Sequence, residues 1–407
     1  MARTVELLPI PTGPALLEVL PRLADALAGI GPALAPVAAG DREHIQMLTA
    51  AFGIGEPLAE YEDDEDDPTA VVVATSGSTG NPKGALLPRS ALAASAAATQ
   101  RRLGPAGAWL LALPAEHIAG LQVLLRSLAS GRTPHILDSS APFRAERFTT
   151  AVDLLPSGPR YVSLVPTQLH RILADEAATA ALSTFTGVLV GGASTSADLL
   201  GRARAGGIQL VTSYGMSETC GGCVYDGLPL AGVTAALDST GRVLFSGAVL
   251  ARGYRKLPGH PSFTAEAGGH GRTFRTDDLG DWVNGRLHVV GRADDVLISA
   301  GLKIAPARLE GAIEALSTVA GVVAVGIPDA EWGQRVVAVI VPTPEHRPPS
   351  LNDVRAACAD AGIAPTLQPS GIVLIPELPL RGPGKPDRAA ALALAAEQVA
   401  RTTPPPG

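Results

Sequence analysis

The run Val71-Val72-Val73-Ala74 passes directly into Thr75-Ser76-Gly77-Ser78-Thr79-Gly80-Asn81-Pro82-Lys83-Gly84, and no other stretch constrains the fold as tightly. A short β-branched run reads as a buried strand. The ten residues after it carry four small hydroxyl side chains and three glycines, so the strand must open into a loop with unshielded backbone N–H groups. Such a loop surrounds a polyphosphate with backbone and hydroxyl donors, and Lys83 adds a mobile positive charge. With a strand before it and an Ala-rich helix expected from about Ser90 to Leu103, the segment reads as a phosphate loop. The G-x-x-x-x-G-K-[ST] spacing is absent, which disfavours a P-loop kinase or ATPase.

Further apolar strands alternate with helical stretches: Trp109–Leu113, Tyr161–Val165, Gly187–Val190 and Gln209–Thr212. This alternation predicts an α/β domain with a mainly parallel sheet. From Gly232 to Val290 short strands and Gly-rich turns predict a small β-barrel or meander. A compact α+β unit follows, with helices near Pro306–Leu316 and Leu351–Ala361 and strands at Val319–Ile327, Arg335–Val341 and Gly371–Ile375. The expected division is residues 1–291, carrying nucleotide and acyl group, and a small mobile domain over 292–407. The stripe Leu16, Leu17, Leu20, Leu23, Leu27, Ile30 predicts a helix interrupted by Pro21. The acidic run Glu60 to Asp67 reads as a solvated surface loop.

Composition narrows the function classes. A formal charge of -7 argues against a nucleic-acid binder. No apolar run reaches the roughly 18–20 residues that span a bilayer, and Met1 to Glu6 lack the pattern of a signal peptide. Three cysteines make no disulfide framework, so a reducing, cytoplasmic setting is expected. Cys220 and Cys223 read as structural rather than as a redox or zinc pair. Of 32 Lys and Arg residues only four are Lys: Lys83, Lys256, Lys303 and Lys385. In so Arg-rich a chain, a retained Lys points to a site that needs its compact ammonium.

The loop Thr75–Gly84 resembles the signature of the acyl-adenylate-forming superfamily, and four later segments agree in order and spacing. These are Tyr214-Gly215-Met216-Ser217-Glu218-Thr219, Phe274-Arg275-Thr276-Asp277-Asp278-Leu279-Gly280, Gly291-Arg292-Ala293-Asp294-Asp295 running to Gly301-Leu302-Lys303-Ile304, and Arg381-Gly382-Pro383-Gly384-Lys385. The resemblance implies activation of a carboxylic acid with ATP and Mg²⁺, then transfer of the acyl group to the thiol of CoA. It places Thr75, Ser76, Gly77, Ser78, Thr79, Gly80 and Lys83 around the phosphates. It puts Tyr214 on adenine, with Gly192 and Ala193 in the close turn beside the base, and Ser217 near the α-phosphate. Glu218 is implied as the Mg²⁺ ligand, and Asp278 with Arg292 as the ribose partners, although Asp277 makes a second acid there. Lys385 is implied as the adenylation lysine and Asp294 as the hinge, with Gly301 and Lys303 on the face that serves the thiol step.

For the acid, His117 stands where relatives gate the acyl pocket, and Arg126 interrupts the apolar run from Leu121 to Leu128. A buried charge needs a partner, and a second substrate carboxylate is one. With a shortened N-terminal half, the chain is most similar to the o-succinylbenzoate–CoA ligases of menaquinone synthesis, whose acid is an aromatic dicarboxylate. A ligase for another aromatic or short-chain acid, or an adenylation domain that loads a carrier protein, would share the motifs. A homo-oligomer is left open by the sequence.

Overall fold

The computed structural model describes residues 2–75, 82–265, 271–299, 301–329, 332–343, 347–380 and 386–402, the side chains of 399–402 aside. The first sheet runs β1 (Val5–Ile10), β2 (Ala33–Ala38), β3 (Thr69–Ala74) and β4 (Gly84–Pro88) in that order. The first three strands are parallel and β4 returns antiparallel to β3. Pro21 falls in the first turn of α1 (Leu20–Leu27), after a 3-10 segment over Gly13–Val19. Its missing N–H is harmless there, so the expected interruption is a helix start. Asp41 caps α2 (Arg42–Phe52) by accepting from His44 N–H, and α3 (Arg89–Leu103) follows β4.

That order corrects the sequence reading of the phosphate loop. The loop is flanked by two antiparallel strands, and α3 begins only at Arg89. The helix dipole expected of a strand–loop–helix unit therefore does not apply. The ladder closes instead through Thr75 N–H, which donates to the Lys83 carbonyl at 2.8 Å.

The second sheet comprises β5 (Ala108–Leu111), β6 (His135–Ile136), β7 (Arg160–Leu164), β8 (Gly187–Gly191), β9 (Leu210–Met216), β10 (Gly221–Tyr225) and β11 (Leu228–Pro229), in the order β11-β10-β9-β8-β7-β5-β6. The five strands from β6 to β9 are parallel. Both faces are covered, which is why the strands read as unbroken apolar runs. Leu110, Val162 and Val188 pack against α5 (Ala145–Asp153), α6 (Pro166–Leu173), α7 (Glu176–Ser183) and α8 (Ala197–Ala205). On the other face Trp109, Leu111 and Leu189 share a core with α4 (Ile118–Ala129) and the first sheet. Lying between two sheets, α4 is buried continuously from Gly120 to Ser127.

The region expected to be a barrel or meander is a five-stranded antiparallel sheet of β12 (Val233–Leu237), β13 (Arg242–Gly247), β14 (Phe263–Ala265), β15 (Arg272–Val283) and β16 (Arg286–Arg292). A hairpin of β17 (Leu297–Ser299) and β18 (Leu302–Ile304) leads to the last sheet, β19 (Val319–Asp329), β20 (Gly333–Pro342) and β21 (Gly371–Leu374). Around it lie α9 (Pro306–Glu314), α10 (Leu351–Asp360) and α11 (Arg388–Thr402), with two apolar clusters drawn wholly from this part of the chain.

The acidic run is not simply a solvated loop. Glu62 is fully buried against Arg255, accepts from the backbone N–H of Ala59 (2.9 Å) and Lys256 (2.6 Å), and takes the Tyr61 hydroxyl at 2.9 Å. Asp63 pairs with Arg3 at 3.0 Å, and Asp67 takes Ser90 N–H at 3.0 Å. The carboxylates tie the first sheet to the segment around Arg255. A one-dimensional charge run conceals this because its partners lie far off in sequence, at Arg3, Ser90, Arg252 and Arg255.

Candidate active site

Ligands of open α/β sheets gather at the carboxyl ends of parallel strands. Here that rim carries Pro114–His117 after β5, Gly192 and Ala193 after β8, and Ser217 and Glu218 after β9. A cleft of about 2870 Å³ runs along it, reaching Thr75 and Lys83 on one side and Tyr214, Asp278 and Arg292 on another.

At one end of the cleft, where the nucleotide was expected, Tyr214 on β9 donates its hydroxyl to Asp278 Oδ2 at 2.6 Å. Burial, reinforced by the Asp278 charge, pushes the phenol well above its ordinary range, so Tyr214 stays neutral. The two adjacent acids are distinguished by place. Asp278 is only 15% exposed beside Tyr214, whereas Asp277 is 54% exposed and pairs with Arg242 at 2.6 Å. Arg292 reaches Asp278 at 3.7 Å and grips Asp294 through two 2.8 Å bonds. Burial opposes the charge on Arg292, but Asp294 and the neighbouring acids outweigh it, raising its pKa. Gly192 takes φ 85°, and a Cβ on Gly191 would stand 2.4 Å from the Ser213 carbonyl. The turn therefore requires glycine where the chain passes this end of the cleft.

On the Lys83 side of the cleft, where the phosphates were expected, residues 251–255 are stitched between β4 and the Glu218 turn. Ala251 N–H donates to the Glu218 carbonyl (2.8 Å), Leu86 N–H to Gly253 (2.9 Å) and Arg255 N–H to Gly84 (2.8 Å). This brings the Tyr254 hydroxyl to 2.6 Å from Glu218 Oε1. Burial, then Glu218, raises the Tyr254 phenol far out of its ordinary range, so it is a fixed donor. Lys83 Nζ lies 5.1 Å above the Tyr254 ring and 3.3 Å from His260 Nε2. Glu218 is 8% exposed and lines the cleft beside Ser217. Mg²⁺ is characteristically held by one or two carboxylates with substrate phosphates and water. A single carboxylate on the cleft, oriented by the Tyr254 hydroxyl, fits that donor set, and among the described residues no three-residue His/Cys/Asp/Glu group offers a protein cage. Tyr254 and His260 were not found by sequence reasoning. Gly253-Tyr254 after the apolar run Val249–Ala251 was a faint signal for the first, and nothing marked the second.

The part of the cleft where the acid was expected is built on α4. His117 is its N-cap residue, half-buried and on the cleft. Arg126 is 7% exposed, stacks at 5.1 Å over Trp109 and reaches the Tyr225 hydroxyl at 3.4 Å. Among the described residues no carboxylate lies within 4.0 Å of it, and its Nε has no partner. Gln122, one turn earlier, donates to the Cys220 carbonyl at 2.7 Å, so α4 is keyed to β10.

Other expected residues stand apart. Gly301, at φ 75°, and Lys303 are exposed on the β17–β18 hairpin and do not line this cleft. Ser76, Gly77, Ser78, Thr79, Gly80 and Lys385 lie outside the described residues, although Leu380 and Pro386 line the cleft on either side of the last. Cys220 and Cys223 are buried free thiols, and burial pushes the Cys223 thiol up to about 12, which suits a structural role. Among the described residues no helix is long and apolar enough to cross a membrane.

Comparison with known proteins gives the same picture. The AMP-binding enzyme family model matches residues 23–251, and the AMP-binding enzyme C-terminal domain matches 308–385. The chain is 44% identical over 384 residues to a "Probable 2-succinylbenzoate--CoA ligase" of Mycobacterium tuberculosis, covering 94% of this chain and 96% of that one. It is 30% identical to the 2-succinylbenzoate–CoA ligase of Escherichia coli, over 83% of this chain and 71% of the other. In fold it is similar to Bacillus subtilis o-succinylbenzoate CoA synthetase holding its acyl-adenylate (TM-score 0.76, 24% identity, 96% and 88% covered). It is equally similar to ATP-bound MatB of Rhodopseudomonas palustris (TM-score 0.80, 21% identity, 98% and 90% covered), so fold alone does not choose the acid.

Proposed function

We propose, on the premise that the chain belongs to the AMP-binding enzyme family, that it is an AMP-forming acid–CoA ligase whose acid is o-succinylbenzoate. The observation that carries the choice of acid is Arg126: a cation buried on the cleft wall with no carboxylate of its own among the described residues. An acid with two carboxylates places one on Arg126 and leaves the other to react. The near full-length similarity to the mycobacterial protein named for this substrate supports the same choice.

The chemistry follows from charge. A carboxylate is no acylating agent until its oxygen becomes a leaving group, and joining it to AMP achieves this. The attacking carboxylate must approach the α-phosphate of a polyanion, so the site must offset repulsion. Glu218 would hold Mg²⁺, which supplies charge neutralisation at the phosphates when bound. Lys83 and the hydroxyls from Thr75 to Thr79 receive the phosphates, and Ser217 lies beside the α-phosphate. Tyr214 and Asp278 take adenine and ribose, with Asp278 preoriented by the Tyr214 hydroxyl. Lys385 reaches the reacting oxygens from the C-terminal part. We assign the two domains to 1–291 and 292–407, with Asp294 as the hinge that exchanges Lys385 for the face bearing Gly301 and Lys303 when CoA attacks. The free thiols fit a cytoplasmic enzyme. The test is product analysis: o-succinylbenzoate, ATP, Mg²⁺ and CoA should yield o-succinylbenzoyl-CoA and AMP. Thioester on a phosphopantetheinyl carrier protein but none on free CoA would overturn the reading.

A further inference from the structure

His260 lies outside every motif, yet its ring is held from three sides. Ser262 N–H donates to Nδ1 at 3.2 Å, the ring meets Tyr254 edge to face at 4.8 Å, and Nε2 faces Lys83 Nζ at 3.3 Å. A neutral imidazole has one acceptor nitrogen. Ser262 occupies it, so the tautomer that satisfies the backbone carries its proton on Nε2, facing the Lys83 ammonium. Two donors then converge at hydrogen-bond distance, and among the described residues no acceptor stands between them. Burial, then the Lys83 charge, lowers the pKa of His260, with Asp277 the smaller, opposing influence, so the ring stays neutral. The Lys83 ammonium lies over the Tyr254 ring and has no carboxylate within 4.0 Å among the described residues, while the Tyr254 hydroxyl is committed to Glu218. Converging donors next to a phosphate loop and a cation-binding carboxylate call for an anionic oxygen.

We propose that His260 is a phosphate ligand: its Nε2–H and Lys83 together take an oxygen of the terminal phosphates of ATP, the part that leaves as pyrophosphate. The inference rests on the nucleotide reading above and adds a residue to it. Its signature is selectivity within the nucleotide, because AMP lacks the group His260 would hold. Calorimetric titration of the full-length protein with ATP–Mg²⁺ and with AMP, for wild type, His260→Phe, His260→Ala and His260→Gln, separates the outcomes. Phe keeps an aromatic ring against Tyr254 and removes the donor, whereas Gln retains a donor. The expected result is about a tenfold weaker Kd for ATP in the Phe and Ala variants, unchanged AMP binding, and partial recovery with Gln. Equal weakening of ATP and AMP, or no change in either, would overturn the role of His260 while leaving the ligase reading intact. Failure of the wild type to bind either nucleotide would overturn the reading and the inference together.

Discussion

Arg126 shows what a single residue can and cannot disclose. Its interruption of an apolar run marked it as unusual in the sequence; that it lies on the cleft wall, over Trp109 and with no carboxylate beside it among the described residues, needed the packing of α4 between two sheets. Arg126→Met should raise KM for o-succinylbenzoate roughly 10–150-fold, the loss of about 1.5–3 kcal/mol for a hydrogen bond to a charged group. Thermal unfolding should occur at or above the wild-type temperature, because a buried unpaired cation is removed. A variant that loses stability but keeps KM would make Arg126 structural. The scarcity of lysine was a partial guide: Lys83 reaches the cleft, but Lys256 forms an ion pair with Glu56 at 2.8 Å and Lys303 is exposed. For Lys385, replacement by Ala should slow adenylation by roughly 10²–10³ while sparing transfer from supplied acyl-adenylate. Separate assays of the two half-reactions check this.

Elements were legible where one periodicity decided them. The parallel strands β5, β7, β8 and β9 and helices α3, α9 and α10 fall close to their sequence positions, because buried strands and amphipathic helices write their burial into consecutive residues, whereas the two-residue β6 was too short to be read. The strand β4 was missed: Gly84 to Pro88 is short, and its identity comes from pairing with β3 and with residues 252–255. Gly120 in α4 fixes the helix against the preceding loop, since a Cβ there would stand 2.2 Å from the Pro114 carbonyl. Gly120→Ala should cost about 1–3 kcal/mol of stability and displace His117 and Arg126, read together by denaturant unfolding and KM. At the end of α9, burial and then the Glu310 charge push Glu314 up to about 7. An acid whose pKa is raised on folding binds extra protons in the native state between pH 4.5 and about 7, so its contribution is present at low pH and lost as pH rises. Glu314→Gln should therefore flatten the decline in stability between pH 5 and 8, measured by urea unfolding across pH.

At the scale of the molecule, five motifs in order were enough to place the chain in its family, because the chemistry distributes its groups over distant loops that only this fold assembles. What sequence could not place was the stitching between them: the buried Glu62–Arg255 pair and the Tyr254–Glu218 bond join residues with no local pattern. The Arg292–Asp294 clasp sits where we locate the hinge, so on the proposed assignment nucleotide binding and domain rotation would share a side chain. Asp294→Pro, which restricts φ there, should retain adenylation within a few-fold and slow thioester formation by at least about 10²; stopped-flow comparison of the two steps checks it. The most direct test of the whole account is acid-dependent ATP–pyrophosphate exchange without CoA, across o-succinylbenzoate, benzoate, succinate and fatty acids. Strong exchange with o-succinylbenzoate and little with the others is the predicted result. Exchange with a different acid and none with o-succinylbenzoate would contradict it.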